Sequence, residues 1–331
     1  MKFVTLETEA AAGAILAHAL RLPSLFIAKG QRLGAPQLAQ LRQARVKNVT
    51  AVLIETGDVT EDEAARRAAG PLIGAGVFAG EAHTGRCNLR ASASGLVVFE
   101  PQNIHALNMI DEAITIATLP LHEQIAPGQV LATIKVNPYA VAEPVVAAWE
   151  AAAAPFDVAA FRPRRAALIQ TVEPVLKDSV LQKTIRATRE RIGALGGALV
   201  ADAQTLHEEI ALAEKIRERL AAGDDLILVC GACSIADRAD VIPAAILRAG
   251  GAVERFGMPV DPGNLLLIGA CGGVPVIGMP GCARTPQLNG FDYILRLIMA
   301  DLPVGRRQIA SMGVGGLLNH CAWRPQLRVV A

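Results

Sequence analysis

The chain has 331 residues, of which 52% are hydrophobic and 19% charged, a composition that excludes a largely disordered protein. The formal net charge is only +1. No basic stretch interleaved with aromatic residues is present, so a nucleic-acid partner is not expected. The six cysteines are scattered, which is typical of free thiols in a reducing compartment rather than of a disulfide framework. The length allows about two domains.

Two segments bear on targeting and membranes. The N-terminus, MKFVTLETEA, is acidic and interrupted early by charge, unlike a signal peptide. The stretch from Pro262 to Ala283 is uncharged, but glycine and proline interrupt it repeatedly, as in strands and turns rather than a membrane-spanning helix. We therefore expect a cytoplasmic protein without a membrane partner.

The first half of the chain predicts short strands and helices of an α+β module. Val130, Ala132, Ile134 and Val136 alternate with other residues, as in a half-buried strand. An alanine-rich stretch, 139–165, then predicts a connecting helix and a linker. The predicted organisation is an N-terminal α+β part over 1–160, an α/β domain over 161–303 and a C-terminal tail over 304–331.

Strands and helices alternate along residues 161–303. Helix starts are predicted at Asp178 and Ser179, which favour N-cap positions, and at Thr205, where Thr205 and Glu208 have the spacing of a capping box. Such alternation predicts an α/β fold with a parallel sheet and helices on both faces. The predicted strands are 166–172, 198–201, 226–229, 252–258, 265–268 and 274–277, and a last helix is predicted over 287–299.

The most informative loop follows the apolar strand at Leu226. Small residues from Gly231 onward would let backbone N–H groups approach an anion, and a helix follows. Ser234, Asp237 and Asp240 lie in the same loop. Because carboxylates repel a bare phosphate, this pattern favours a phosphorylated ligand together with a divalent cation.

Four loops that follow predicted strands combine glycine or proline with acidic, amide, hydroxyl or arginine side chains. They are Thr171–Ser179, Cys230–Asp240, Pro259–Asn264 and Met279–Thr285. In a parallel sheet the carboxyl ends of the strands share one edge. At least the first two loops are therefore predicted to line one cleft.

At these loops the sequence resembles the molybdopterin-binding domain of molybdenum cofactor biosynthesis proteins, over about residues 166–300. The family's TSGGVSVGD is matched by VCGACSIAD at 229–237, and its GLPGNP by GMPGC at 278–282. TVEP at 171–174 with Asp178 and Ser179 loosely matches TGDE…DSN. DPGN at 261–264 matches KPGKP, with Asp261 and Asn264 at the lysine positions. Residues 1–150 faintly resemble the region that precedes this domain in proteins carrying a molybdopterin cytidylyltransferase.

The resemblance implies molybdopterin bound through its phosphate with Mg²⁺, and either metal insertion or nucleotide transfer. It implies Asp237 as the catalytic and metal-side carboxylate, and Glu173 as a second catalytic acid where the family has Asp. A cytidylyltransferase or an apo-molybdoenzyme is the implied partner, and we expect a homodimer. The implied cofactor-binding residues are Gly231, Ala232, Ser234, Asp240, Asp178, Ser179, Asp261, Gly263, Asn264, Pro280, Gly281 and Arg284.

Several alternatives stay open at this level. Cys230 and Cys233 have CxxC spacing and are either a redox pair, half of a zinc site, or small residues at a strand end. Asp240 could cap a helix, Asp261 could shape a turn, and Arg284 could be a surface charge. At the level of function, the alternatives are a nucleotide pyrophosphatase or amidase-like enzyme of the same fold, and a non-catalytic carrier of the cofactor.

Overall fold

Short strands and short helices make up the N-terminal part of the chain. A computed structural model describes residues 1–174 and 176–318, and these fall into two units that divide between Ala159 and Ala160. Two antiparallel sheets of the first unit have the orders β1-β5-β2 and β10-β12-β8-β7. Its strands are β1 Lys2–Glu7, β2 Ile15–Leu16, β3 Leu20–Leu22, β4 Leu25–Ile27, β5 Asn48–Leu53, β6 Asp58–Thr60, β7 Val77–Ala79, β8 Arg86–Ala91, β9 Gly95–Val98, β10 Ile114–Thr118, β11 Gln124–Ile125, β12 Val130–Val136, β13 Ala140–Ala142 and β14 Asp157–Ala160. Its helices are α1 Ala35–Gln43, α2 Glu61–Ala69, α3 Pro101–Asn108 and α4 Glu143–Ala152.

The core of the first unit forms around α2 and α4. Trp149 of α4 is fully buried, and its indole N–H donates to the backbone oxygen of Ala68 at 3.1 Å, so burying the ring leaves no unpaired donor. The alternating strand predicted from Val130 to Val136 is confirmed as β12.

The second unit is built on one six-stranded sheet within the described residues, of order β16-β15-β17-β20-β19-β18. Neighbours among the first four strands are parallel, and β19 is antiparallel to both of its neighbours. The strands are β15 Arg165–Val172, β16 Ala198–Leu206, β17 Leu226–Cys230, β18 Ala252–Phe256, β19 Leu267–Cys271 and β20 Val274–Met279. The helices are α5 Asp178–Ala194, α6 Glu209–Ala221, α7 Val241–Arg248, α8 Gly290–Met299 and α9 Arg306–Ser311.

Every residue of the central strand β17 is buried, so neither face of the sheet is exposed to solvent at this strand. This burial indicates that helices cover both faces. Residues of α5, α8 and α9 form one apolar cluster with the sheet, and residues of α6 and α7 form another on alternate positions of the same strands. The predicted α/β fold with helices on both faces is therefore confirmed for this unit, but the sheet predicted as parallel is only mostly so, because β19 runs antiparallel to β18 and β20.

One predicted helix start is wrong, and the other is confirmed with a different N-cap residue. Strand β16 continues to Leu206, so Thr205 is a strand residue, and α6 begins at Glu209 with Glu208 as its N-cap. Helix α5 has Lys177 at its N-cap, which places Asp178 and Ser179 at its first two helical positions. In both cases residues with cap-forming side chains lie beside the boundary without capping it.

The segment predicted as a C-terminal tail packs on the second unit in its described part. Helix α9 lies in it, and Ile309 and Leu318 belong to the apolar cluster of α5 and α8. The rest of the predicted tail, 319–331, lies outside the described residues. Within 1–174 and 176–318, none of the helices is long and apolar enough to cross a membrane.

Candidate functional site

All four loops singled out in the sequence meet the sheet at one edge, which we call the carboxyl edge. Strands β15, β17 and β20 are parallel and end there. The β18–β19 turn lies at the same edge, because Phe256 pairs with Leu267 and Leu267 pairs with Gly278 near the end of β20. The antiparallel strand β19 thus brings the Pro259–Asn264 loop beside the other three.

Arg284, in the loop after β20, contacts the start of the loop after β17. Its guanidinium donates to the backbone oxygen of Gly231 at 2.5 Å and to the hydroxyl of Thr184 at 3.1 Å, and Thr184 is fully buried. Gly231 is buried as well, and a Cβ there would lie 2.6 Å from the backbone oxygen of Cys233. Arg284 therefore holds the start of the β17 loop against helix α5.

A hydrogen-bonded chain crosses the carboxyl edge from β15 to β16 and the β17 loop. The backbone N–H of Ala232 donates to Thr171 Oγ1 at 2.9 Å, and that oxygen lies 2.8 Å from His207 Nδ1. The other ring nitrogen, Nε2, lies 3.2 Å from the Sγ atom of the exposed Cys233. Thr171 is fully buried, so this series of hydrogen bonds anchors the exposed thiol to the sheet.

Ser234 and Gly281 bring the β17 and β20 loops together. Both are exposed, and a Cβ placed on Gly281 would lie 3.8 Å from Ser234 Oγ. Pro280, which precedes Gly281, is buried at the end of β20. Asp237, further along the β17 loop, is exposed, and its Oδ1 accepts from the backbone N–H of Ala239 at 2.8 Å.

Asp240 is the N-cap of α7. Its two carboxylate oxygens accept from the backbone N–H groups of Val241 at 2.7 Å and Ala236 at 3.0 Å. The capping alternative for this residue is thus confirmed, and the carboxylate fixes the exit of the loop that carries Asp237. Its cofactor-binding role stays a prediction.

The Asp261–Asn264 turn packs against the start of helix α8. Gly263 is buried with φ of +124°, and a Cβ there would lie 2.4 Å from the backbone nitrogen of Gly290. The side chain of Asn264 donates to the backbone oxygen of Met258 at 2.9 Å and closes the turn. The Asp261 side chain is exposed. Gly263 and Asn264 therefore shape the turn, and their binding roles stay predictions.

Arg191 of α5 fixes the segment between β20 and α8. Its nearly buried guanidinium pairs with Asp292 at 2.6 Å and donates to the backbone oxygens of Ala283 at 2.9 Å, Thr285 at 2.6 Å and Gln287 at 3.1 Å. This residue holds the Gly281 loop without facing solvent.

The remaining predicted residues lie at the rim. Glu173 is exposed directly after β15, and Asp178 and Ser179 are exposed at the start of α5. Desolvation raises the pKa of the Cys233 thiol first, and the carboxylates of Asp240 and Glu173 raise it further. Glu173 and Cys233 therefore lie close enough to interact electrostatically, whereas no direct contact joins Asp178 or Ser179 to the loop residues among the described hydrogen bonds.

The CxxC pair is split between core and surface. Cys230 is buried, and this burial raises the pKa of its thiol to about 11, although the positive charge of Arg284 acts in the opposite direction. In the described part of the chain, no group of three or more His, Cys, Asp or Glu side chains is arranged to hold a metal ion. The structure thus gives the zinc alternative for Cys230 and Cys233 no support.

A cavity of about 410 Å³ lies at the opposite edge of the sheet. It is lined by residues of β19, by Pro275 near the amino end of β20 and by the ion pair of Arg164, which precedes β15, with Asp301. The carboxyl edge, in contrast, offers exposed loop residues as an open surface.

Sequence reasoning placed Thr171 in a cleft-lining loop but assigned no role to its side chain, and it missed His207, Arg191 and Thr184. Part of the signal for His207 was present: Leu199, Ala201 and Ala203 are spaced two residues apart, with the polar Asp202 and Gln204 between and after the last two of them, and Thr205 continues the spacing. That pattern extends β16 and places His207 at the carboxyl edge.

Neither a family model nor a curated protein matches the chain. Among solved structures, the chain is similar to the molybdopterin biosynthesis MoeA protein from Pyrococcus horikosii, with 13% identity, 91% of this chain and 75% of that chain covered, and a TM-score of 0.32. It is also similar to a structure of MogA, with 21% identity, 44% of this chain and 100% of that chain covered, and a TM-score of 0.29. At TM-scores this low, neither similarity decides the function of this chain.

Proposed function

We propose that this protein binds molybdopterin, or a nucleotide derivative of it, together with Mg²⁺ at the carboxyl edge, and acts in molybdenum cofactor biosynthesis. The observation that carries the proposal is the convergence of the four loops at one edge, with Ser234 beside Gly281. These are the loops whose residues resemble the family's motifs, in the family's order.

The exposed groups at this edge suit a phosphate. Among the described residues, and apart from its two chain neighbours, a Cβ at Gly281 would have only Ser234 Oγ within 4 Å, so ligand atoms have room to approach that backbone. Ser234 adds a hydroxyl donor, and Arg284 places a positive charge beneath the loop. Ser234 and Gly281 are therefore the proposed phosphate contacts.

The charge at the edge favours a divalent cation as a companion. The segments 173–177, 231–240, 259–264 and 280–285 carry four acidic side chains against three basic ones. A bare phosphate would be repelled by such a surface, whereas Mg²⁺ takes oxygen ligands from carboxylates, phosphate and water. The exposed Asp237 is the proposed Mg²⁺ ligand.

When bound, Mg²⁺ would neutralise the charge of the phosphate and help orient it for metal insertion or nucleotide transfer. The residues of the chain act by position and charge. Asp240 and Arg284 hold the β17 loop in place, and Glu173 offers a second carboxylate near Cys233. No covalent nucleophile is needed for this chemistry.

The test is an anaerobic calorimetric titration with molybdopterin, with and without Mg²⁺. We expect micromolar or tighter binding that requires Mg²⁺, and a loss of at least about ten-fold in Asp237→Ala. Glu190→Gln is the matched control, since Glu190 is an exposed carboxylate on α5 about 18 Å along the helix from its start.

Each outcome has a defined meaning. Absence of binding, or equal binding by wild type and Asp237→Ala, would overturn the proposed site. Binding without turnover of nucleotide or molybdate would select the carrier alternative. Hydrolysis of a dinucleotide such as ADP-ribose in place of molybdopterin binding would select the pyrophosphatase alternative. The proposed homodimer is tested separately by sedimentation equilibrium.

A further inference from the structure

The chain of Thr171, His207 and Cys233 has the arrangement of a nucleophile, a base and a group that orients the base. The sulfur and the nearer ring nitrogen are 3.2 Å apart, and the far ring nitrogen is 2.8 Å from the threonine hydroxyl oxygen. Cys233 is exposed and Thr171 is fully buried. The sulfur is thus open to solvent while the group that orients the imidazole is fixed in the sheet.

The hydrogen bonds of Thr171 are compatible with a ring proton on Nδ1. One lone pair of Thr171 Oγ1 accepts the backbone N–H of Ala232, and the other can accept a proton carried by His207 Nδ1. With that proton on Nδ1, the lone pair of neutral His207 lies on Nε2 and faces the sulfur. His207 is then placed to take the thiol proton.

The surroundings of the sulfur make this base necessary. Desolvation and the carboxylates of Asp240 and Glu173 raise the pKa of the Cys233 thiol, so the sulfur is protonated at neutral pH. The same carboxylates repel anionic reagents. A small uncharged electrophile is the class of reactant that this environment admits.

We propose that Cys233 and His207 form a modification site at which a small uncharged peroxide oxidises the thiol to a sulfenic acid. His207 Nε2 takes the thiol proton, and the sulfur attacks one peroxide oxygen, forming an S–O bond as the O–O bond breaks. The departing hydroxide takes the proton from Nε2 and leaves as water. Sulfur is oxidised by two electrons and the peroxide is reduced.

The experiment treats the full-length protein with hydrogen peroxide in EDTA and traps sulfenic acid with a cyclic 1,3-dione. Peptide mass mapping separates Cys233 from the other five thiols. We expect Cys233 to be labelled first and His207→Gln to slow its labelling by about 10²-fold. Thr171→Val should slow it in the same direction, and Thr171→Ser, which keeps the hydroxyl, should restore it.

Cys282 serves as the internal reference. It is half-buried, and desolvation raises the pKa of its thiol too. In a variant that unfolds, Cys282 would be labelled faster. An unchanged labelling rate of Cys282 therefore shows that the variant is folded. If Cys233 reacts no faster than Cys282, or if His207→Gln leaves its rate unchanged, the proposal is wrong.

A second measurement tests the selectivity for uncharged reagents. The alkylation rates of Cys233 by iodoacetamide and by iodoacetate are compared with those of free cysteine. We expect the ratio of neutral to anionic rate to exceed that of free cysteine by at least about ten-fold, from two carboxylates near the sulfur. An equal ratio would contradict the assigned class of reactant.

Discussion

Arg284 offers the clearest test of whether a residue of the carboxyl edge holds the loop after β17 in place or is available to bind a ligand. Its guanidinium donates to Gly231 and to Thr184. Hydrogen bonds to a charged group contribute roughly 1.5–3 kcal/mol each. Arg284→Met leaves a buried carbonyl without this donor, and we expect the free energy of unfolding to fall by about 2–4 kcal/mol.

The measurement needs a readout confined to the second unit. Denaturant-dependent hydrogen exchange at the amides of β17 reports the opening of that unit. A double-mutant cycle with Thr184→Val should give a coupling free energy of about 1 kcal/mol, because the two side chains share one hydrogen bond. Arg189→Met is the matched control: its side chain is 60% exposed in a pair with Asp202, and we expect a change below about 0.5 kcal/mol.

A result as small as that of the control would refute this reasoning. It would mean that Arg284 does not hold the loop and is available to bind an anion directly. Loss of molybdopterin affinity in Arg284→Met with unchanged stability would lead to the same conclusion.

Three further changes test the packing beneath the carboxyl edge. Arg191→Met leaves the carboxylate of Asp292 without its ion-pair partner. The free energy of unfolding, measured in urea, should fall by about 3–5 kcal/mol, and adding Asp292→Leu should restore part of this loss. Gly263→Ala places a Cβ 2.4 Å from a backbone nitrogen of α8 and should lower the melting temperature far more than Gly196→Ala, where φ is +79° but the space is open. The pKa of Cys230 is raised to about 11 by burial, so the folded state keeps a proton that the unfolded chain loses above about pH 8.5. Stability should be unaffected below that pH and fall by about 2–3 kcal/mol as the pH rises toward 11, and Cys230→Val should flatten this part of the pH profile of unfolding.

Much of the second unit could be predicted because its local patterns agree with its fold. The apolar run at Leu226 is a buried strand, and the strand-helix alternation gives the parallel sheet. The error at Thr205 has a physical reason. A threonine three residues before a glutamate has the spacing of a capping box, but pairing with β15 continues through Leu206 and fixes the backbone as strand.

The chemistry at the edge was harder to predict because it depends on distant residues. Thr171, His207 and Cys233 meet only because β15 pairs with β16 on one side and with β17 on the other. Strand register decides this contact, and the sequence does not encode it locally. The position of the Asp261 turn also depends on a distant pairing, because it follows from the antiparallel direction of β19. No local sequence motif predicts that direction.

The polar groups of the carboxyl edge divide into two sets with different expected effects. The side chains of Asp240 and Arg284 form hydrogen bonds within the protein that fix the loops. Substituting either residue should therefore reduce stability and, as a consequence, binding. Ser234, Asp237 and Gly281 are exposed, so substitutions there should reduce binding with little effect on stability. A ligand site built this way is preorganised, because the loops are ordered before the ligand arrives and little of the binding free energy is lost to ordering them. The ratio of affinity loss to stability loss, residue by residue, therefore separates the groups that would touch a phosphate from those that hold them in place.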